Sequence, residues 1–220
     1  MTQDERREQR KSMILQAAAE EFISSGYEGV SMESICRNKG ISKGTMYHYY
    51  RSKEELYLEC VKMTLQALKK HMEENSADMQ EQGSLESIKD YFFTMRECFF
   101  RLHPLHKAIF ESAMFTPPRH LEEQIQELRA PLREMNKKFL NETLLQMDLR
   151  TGLDEKKAVR YLENMESIFW RMIVLEQEWK GEKNLHSMLE TAGELLDMIF
   201  YGIVKQTDEN RNMNEKEMTE

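Results

Sequence analysis

SMESICRNKGISKGTMYHYYRSKEELY, residues 31 to 57, decides how the rest of the chain is read. Two short segments with helical apolar spacing flank Gly40, and the run closes on aromatic and basic residues. Gly40 separates Met32, Ile35 and Cys36 from a second segment opening at Ser42. A residue tolerant of positive φ at that point lets two helices meet at a steep angle. Ser31 and Ser42 stand where N-caps are wanted. Ile35, Ile41, Met46 and Tyr50 then form a small core, which leaves Lys43, Thr45, Tyr47, His48 and Tyr49 facing outward. This is a helix-turn-helix pattern, and a short helix with exposed aromatic rings wants a partner.

Charge says which partner. Between Glu33 and Glu54 there is no acidic residue, while Arg37, Lys39, Lys43, Arg51 and Lys53 supply five positive charges. The 220-residue chain as a whole carries 31 Lys+Arg against 39 Asp+Glu, a net charge of −8. Over residues 1–60 the balance is nine basic to ten acidic, so the N-terminal end is nearly neutral with a local positive face. For binding a polyanion such a local field outweighs the total.

The run ISKGTMYHYYRSKEEL, with its Gly-Thr, the Tyr two residues on, the aromatic pair and the Ser-Lys-Glu that opens the next helix, resembles the DNA-binding motif of the TetR family of bacterial transcriptional regulators. The resemblance covers about residues 8 to 60. Two positions depart from the family pattern: Lys39 stands where a small Ala is usual, and Tyr50 replaces a usual Phe. The resemblance implies that the recognition helix runs from Ser42 through Tyr49. It places Lys43, Gly44, Thr45 and His48 near base edges in the major groove of an operator duplex, and Ser31, Ser42, Tyr47, Tyr49 and Lys53 on phosphates. Physical chemistry is in keeping with the second group, because Lys53 opens a helix, where free N–H groups already favour an anion, and tyrosine hydroxyls donate to phosphate oxygens. Tyr49 fits a core position as well as an exposed one, Tyr50 is assigned to the core, and Lys53 can also pair with local glutamates.

Upstream, Ile14, Ala18 and Phe22, with Leu15 and Ala19 beside them, make one apolar helical stripe that Gly26 ends. Arg6, Arg7, Arg10 and Lys11 precede it, placed either for DNA backbone or for solvent.

Some 160 residues follow the motif, enough to bury a second core. Their pattern is all helix. Leu85, Ile88, Phe92, Met95, Phe99 and Leu102 mark a helix over 84–102 capped by Ser84. Leu121, Ile125, Leu128, Leu132, Met135 and Phe139 mark another over 119–147, in which Pro131 removes one hydrogen bond. Asp154 caps a third and Asn184 opens a fourth. The expected fold is therefore all-α: an N-terminal three-helix helix-turn-helix domain over 8–68, then a helical ligand-binding and dimerisation bundle over 69–205, then a disordered tail over 206–220. The last two helices are apolar over more than a narrow stripe. By resemblance they pair with their copies in a homodimer near 155–204, which suits a two-fold palindromic site with half-sites about 34–36 Å apart.

Seventeen methionines and many phenylalanines leave room for an adaptable apolar pocket for a small-molecule effector that the sequence does not name. The expected lining is Phe92, Met95, Phe99, Phe110, Met135, Met165 and Phe169, each of which also reads as ordinary core. No metal and no cofactor is expected. Pro104 interrupts the helix that would align His103 and His106 with Cys98, and Cys36, Cys60 and Cys98 lack a metal-ligand spacing. His71 reads as a satisfied side chain rather than a functional one. No catalytic constellation stands out, so an enzyme is not expected. With no signal peptide and no membrane span in the pattern, the expected location is the cytoplasm. The expected activity is ligand-responsive transcriptional regulation, most often repression. The alternative is a helical ligand-binding protein of the same fold that lacks specific DNA binding.

Overall fold

The computed structural model of the chain describes residues 2–76, 84–145 and 147–203, the side chains at 166, 167 and 203 excepted. The helices in chain order are α1 (Gln3–Gly29), α2 (Met32–Lys39), α3 (Lys43–Tyr49), α4 (Lys53–Glu74), α5 (Leu85–Leu102), α6 (Pro104–Phe115), α7 (Glu122–Leu145), α8 (Glu155–Lys180) and α9 (Leu185–Ile203). A single 3-10 turn, Arg119–Leu121, precedes α7. The expected tail over 206–220 lies outside the described residues.

The helix boundaries follow local chemistry. Ser31, Ser42, Ser52 and Asp154 each accept a hydrogen bond from the backbone N–H three residues on, and so begin α2, α3, α4 and α8. Ser84 and Asn184 do the same ahead of α5 and α9. Gly40 and Gly181 end α2 and α8 in the left-handed conformation, φ 66° and 71°. Gly26 breaks α1 at φ 69°, and helical turns resume beyond it to Gly29. Pro104 starts α6 at its first turn, where a missing N–H costs nothing. Pro131 lies within α7, which continues through it to Leu145.

Packing groups the described residues into two compact units, one within 1–75 and 95–133 and the other within 76–94 and 134–203. Residues 95–133 thus belong with the helix-turn-helix. In the first unit α1, α4 and α6 pack on one another. Leu15, Ala18, Phe22, Leu56, Tyr57, Val61, Leu65 and Ile109 are buried there. The Tyr57 ring meets Phe22 and Tyr27 edge-on at 5.1 and 5.0 Å. Each large apolar side chain so buried contributes roughly 1.5–3 kcal/mol, which fixes α4 against α1 and α6.

In the second unit α8 packs on α9. Leu144, Ala158, Leu162, Leu196, Ile199 and Phe200 form its core, flanked by Phe93, Leu140 and Phe169. Lys89 Nζ reaches both oxygens of Asp197 at 2.6 and 2.7 Å. The buried Gln177 side chain donates to the Asn184 carbonyl at 3.0 Å and holds the α8–α9 turn. Among the described residues, no helix is long and apolar enough to cross a membrane.

Candidate nucleic-acid interface

The α2–α3 pair is built as the apolar spacing predicts. Ile35 and Met46 are fully buried and Tyr50 nearly so, while Ile41 is only partly covered. These contacts seat α3 so that Lys43, Gly44, Tyr47 and His48 are exposed. Thr45 and Tyr49 are half-buried, and the Tyr49 ring stands edge-on to His48 at 5.1 Å. Ser31 and Ser34 cap α2 reciprocally, at 3.0 and 2.9 Å. Ser42 Oγ accepts from the Thr45 N–H at 3.0 Å and lies 2.7 Å from the Thr45 hydroxyl. Both serines expected near phosphate therefore also begin their helices.

Gly44 is helical, and a Cβ built on it would meet nothing within 4 Å. The chain itself has no steric need for glycine here. The open space lies on the exposed side of α3, where the backbone of another molecule can come close.

Lys53 is engaged inside the protein. Its Nζ donates to the Tyr27 carbonyl at 3.0 Å and lies 4.1 Å from the centre of the Tyr27 ring. The Tyr27 hydroxyl meets Glu54 Oε1 at 3.3 Å and His120 Nε2 at 3.2 Å. Burial first, and then Glu54, push the Tyr27 hydroxyl well above the ordinary tyrosine range, so it stays protonated and can donate. This ties the start of α4 to the turn before α7.

Lys39 does not widen the positive face. It pairs with Glu20 at 2.8 Å and Glu21 at 3.6 Å on α1, and the hydrogen bond it donates to Glu20 raises its pKa. Glu33 is a residue the sequence reading passed over. Its Oε1 accepts from the Tyr47 hydroxyl at 3.1 Å and lies 3.6 Å from Lys43 Nζ. Backbone hydrogen bonding at its own position, then the Tyr47 hydroxyl, hold its carboxyl below the usual range. Tyr47 is fourteen residues away, so only the angle between the helices reveals the contact.

The seven residues expected to line a pocket fall in different places. Met95, Phe99 and Phe110 belong to the first unit, where Phe100 bridges Phe99 and Phe110 at ring distances of 5.1 and 4.8 Å. Phe92, Met135, Met165 and Phe169 belong to the second. There Phe92 stacks on Phe139 at 4.5 Å, and Phe169 flanks the core. Met165 is exposed, and with Tyr161, Asn164, Met198, Ile199 and Gly202 it lines an open cleft of about 370 Å³ between α8 and α9. Among the described residues, no group of three or more His, Cys, Asp or Glu side chains is placed to hold a metal ion.

Residues 14–60 match the family model described as bacterial regulatory proteins, tetR family. The chain is similar to the uncharacterized HTH-type transcriptional regulator YhgD of Bacillus subtilis strain 168, with 30% identity over 122 residues, 54% of this chain and 61% of that protein. It thus spans about three fifths of that relative. It is also similar to IcaR, the HTH-type negative transcriptional regulator of the biofilm operon icaADBC in Staphylococcus aureus strain Newman, with 25% identity over 140 residues, 62% of this chain and 73% of that protein. Its fold is shared with the transcriptional regulator FadR of Bacillus subtilis, solved in complex with stearoyl-CoA, at a TM-score of 0.57 and 16% identity over 86% of this chain and 97% of that one. Residues 14–60 thus carry a helix-turn-helix that matches the tetR family of bacterial regulatory proteins, set in an all-helical fold that the chain shares with solved regulators of this kind.

Proposed function

We propose that this chain is a transcriptional regulator, not an enzyme, which binds a palindromic operator duplex as a homodimer, represses from it, and is released by a small-molecule effector. Residues 8–68 read the DNA, and 69–205 sense the effector and dimerise. The observation that carries the reading is the exposed α3 face. Lys43, Gly44, Tyr47 and His48 stand outward on a buried Ile35–Met46 core with an N-cap at each helix start. On this reading Lys43, Gly44, Thr45 and His48 meet base edges, while Ser31, Ser42, Tyr47 and Tyr49 position the backbone. Lys53 reaches a phosphate by giving up its Tyr27 carbonyl.

The homodimer is supported by an apolar face on α8. Tyr161, Met165, Ile168, Met172, Leu175 and Trp179 are all exposed and follow one another at steps of four, three, four, three and four residues. That is the spacing of a helix seam. Met198 and Tyr201 are exposed on α9.

Response to an effector is supported by the way α4 is held. Within the first unit the Tyr57 hydroxyl meets Ser112 Oγ at 2.9 Å, and Thr64 Oγ1 meets His106 Nδ1 at 2.9 Å. His71 lies on Phe99 at a ring distance of 5.4 Å. A ligand that prefers one packing of α5 and α6 therefore biases α4, and with it the seat of α3. That FadR of Bacillus subtilis, which shares this fold, was solved in complex with stearoyl-CoA supports the reading.

The test is a titration of a fluorescent duplex from the region upstream of the protein's own gene against a scrambled duplex at moderate salt, with Lys43→Ala and Tyr47→Ala as controls. Preference for the native duplex, lost in both variants, is the expected result. Equal binding of the two duplexes by the wild type sinks the reading.

A further inference from the structure

The exposed α3 face contains a carboxylate. Glu33 stands in the first turn of α2, where the helix dipole favours a negative charge. Its Oε1 accepts from the Tyr47 hydroxyl at 3.1 Å and lies 3.6 Å from Lys43 Nζ. The surrounding acids are turned elsewhere, with Glu20 and Glu21 on Lys39 and Glu54 on the Tyr27 hydroxyl. Glu33 thus engages one donor of α3 assigned to the DNA backbone, Tyr47, and one assigned to base edges, Lys43. An approaching duplex must break both contacts and bring its own negative charge against the carboxylate. That cost falls on every duplex, and base-edge contacts offset it only where the sequence matches.

We infer that Glu33 is a specificity-determining residue of the DNA-binding face: its carboxylate competes with the duplex for Tyr47 and Lys43, and so rejects duplexes that offer phosphates without matching bases. This rests on the DNA-binding reading proposed above. It assigns Glu33 the repulsive part of recognition, beside the attractive part supplied by α3.

The full chain is first used to enrich a duplex from a random library. Anisotropy titrations over a range of salt then compare the enriched duplex with a composition-matched scramble, for the wild type, Glu33→Gln and Glu33→Asp. Glu33→Gln is expected to bind the scramble about tenfold tighter and the enriched duplex by no more than about threefold, so that selectivity falls. Its salt slope on the scramble steepens by about one for each subunit in contact. Glu33→Asp keeps the charge and is expected to stay within about twofold of wild type. Unfolding weakens binding to both duplexes, so it cannot produce the tightening. Unchanged selectivity in Glu33→Gln, weaker binding of both duplexes, or a Glu33→Asp protein that behaves like Glu33→Gln overturns the inference and leaves DNA binding standing. If the wild type enriches no duplex, the DNA-binding reading falls and this inference falls with it.

Discussion

Tyr50 and Gly44 are two residues at which the helix-turn-helix departs from what its own fold would prefer. Tyr50 is buried to 2% exposure, and its hydroxyl has no hydrogen-bond partner among the described residues. An unsatisfied buried hydroxyl costs about 1–3 kcal/mol. Tyr50→Phe is therefore expected to stabilise the protein by about 1 kcal/mol in a urea unfolding curve. A loss of stability would mean that the hydroxyl is satisfied after all. Gly44 has helical geometry and free space around its missing Cβ. Gly44→Ala is expected to raise stability by about 0.5 kcal/mol, through helix propensity, while weakening operator binding about tenfold. If thermal unfolding and anisotropy show both quantities rising together, close backbone approach at Gly44 is excluded. The small core and the caps around these residues were legible in the sequence, because i, i+3, i+4 spacing and Ser at a helix start act locally. The partners of Glu33, Lys39 and Lys53 were not, since each lies 10 or more residues away across an angle that only packing sets.

Helices α4, α6 and α8 carry the next two predictions. His106 on α6 is pushed below its ordinary pKa of 6.5, first by burial and then by His103. Its neighbours are Thr64 on α4, whose hydroxyl meets its ring at 2.9 Å, and Phe99 and His103, whose rings lie 5.8 Å from it. The folded state thus binds a proton less readily than the unfolded chain. Stability from this site is complete above about pH 6.5 and is lost as pH falls through that value toward the lower folded pKa. Urea curves at pH 7.5 and 5.0 are expected to show a loss for wild type that His106→Gln reduces. An equal loss in both proteins assigns the acid sensitivity elsewhere. On α8 the seam from Tyr161 to Trp179 is exposed among the described residues, and Trp179 is 84% exposed. Ile168→Glu and Leu175→Glu are each expected to yield monomers by light scattering, with α-helical content unchanged and DNA binding lost. Dimers that survive both substitutions would place the interface off this face.

At the scale of the molecule, charge and symmetry act together. A chain of net charge −8 approaches DNA only through a local positive face. Each side chain in a two-fold dimer counts twice. Lys53→Ala is accordingly expected to reduce the slope of log affinity against log salt by about two, where one subunit in contact would reduce it by about one. An unchanged slope would remove Lys53 from the phosphate contacts. The division of the chain was only partly readable. The all-helical fold, the caps at Ser31, Ser42, Ser84, Asp154 and Asn184, and the break at Gly26 follow from local periodicity and backbone preference. The grouping of residues 95–133 with the helix-turn-helix does not, because α6 packs on α1 and α4, helices that end at Gly29 and Glu74, 30 or more residues before Pro104, and for which sequence spacing has no period. For the same reason the seven residues chosen as pocket lining were all recognisable as apolar on a helix, while their separation between two units was not. The sequence by itself determined most of the helices, the residues that cap them, and a helix-turn-helix motif, since each depends on neighbours within about four residues; it did not mark α6. Tertiary structure alone decided that Glu33 guards Tyr47 and Lys43, that Lys53 rests on Tyr27, and that His120 ties the turn before α7 to the start of α4, since each is a contact between side chains brought together only by packing.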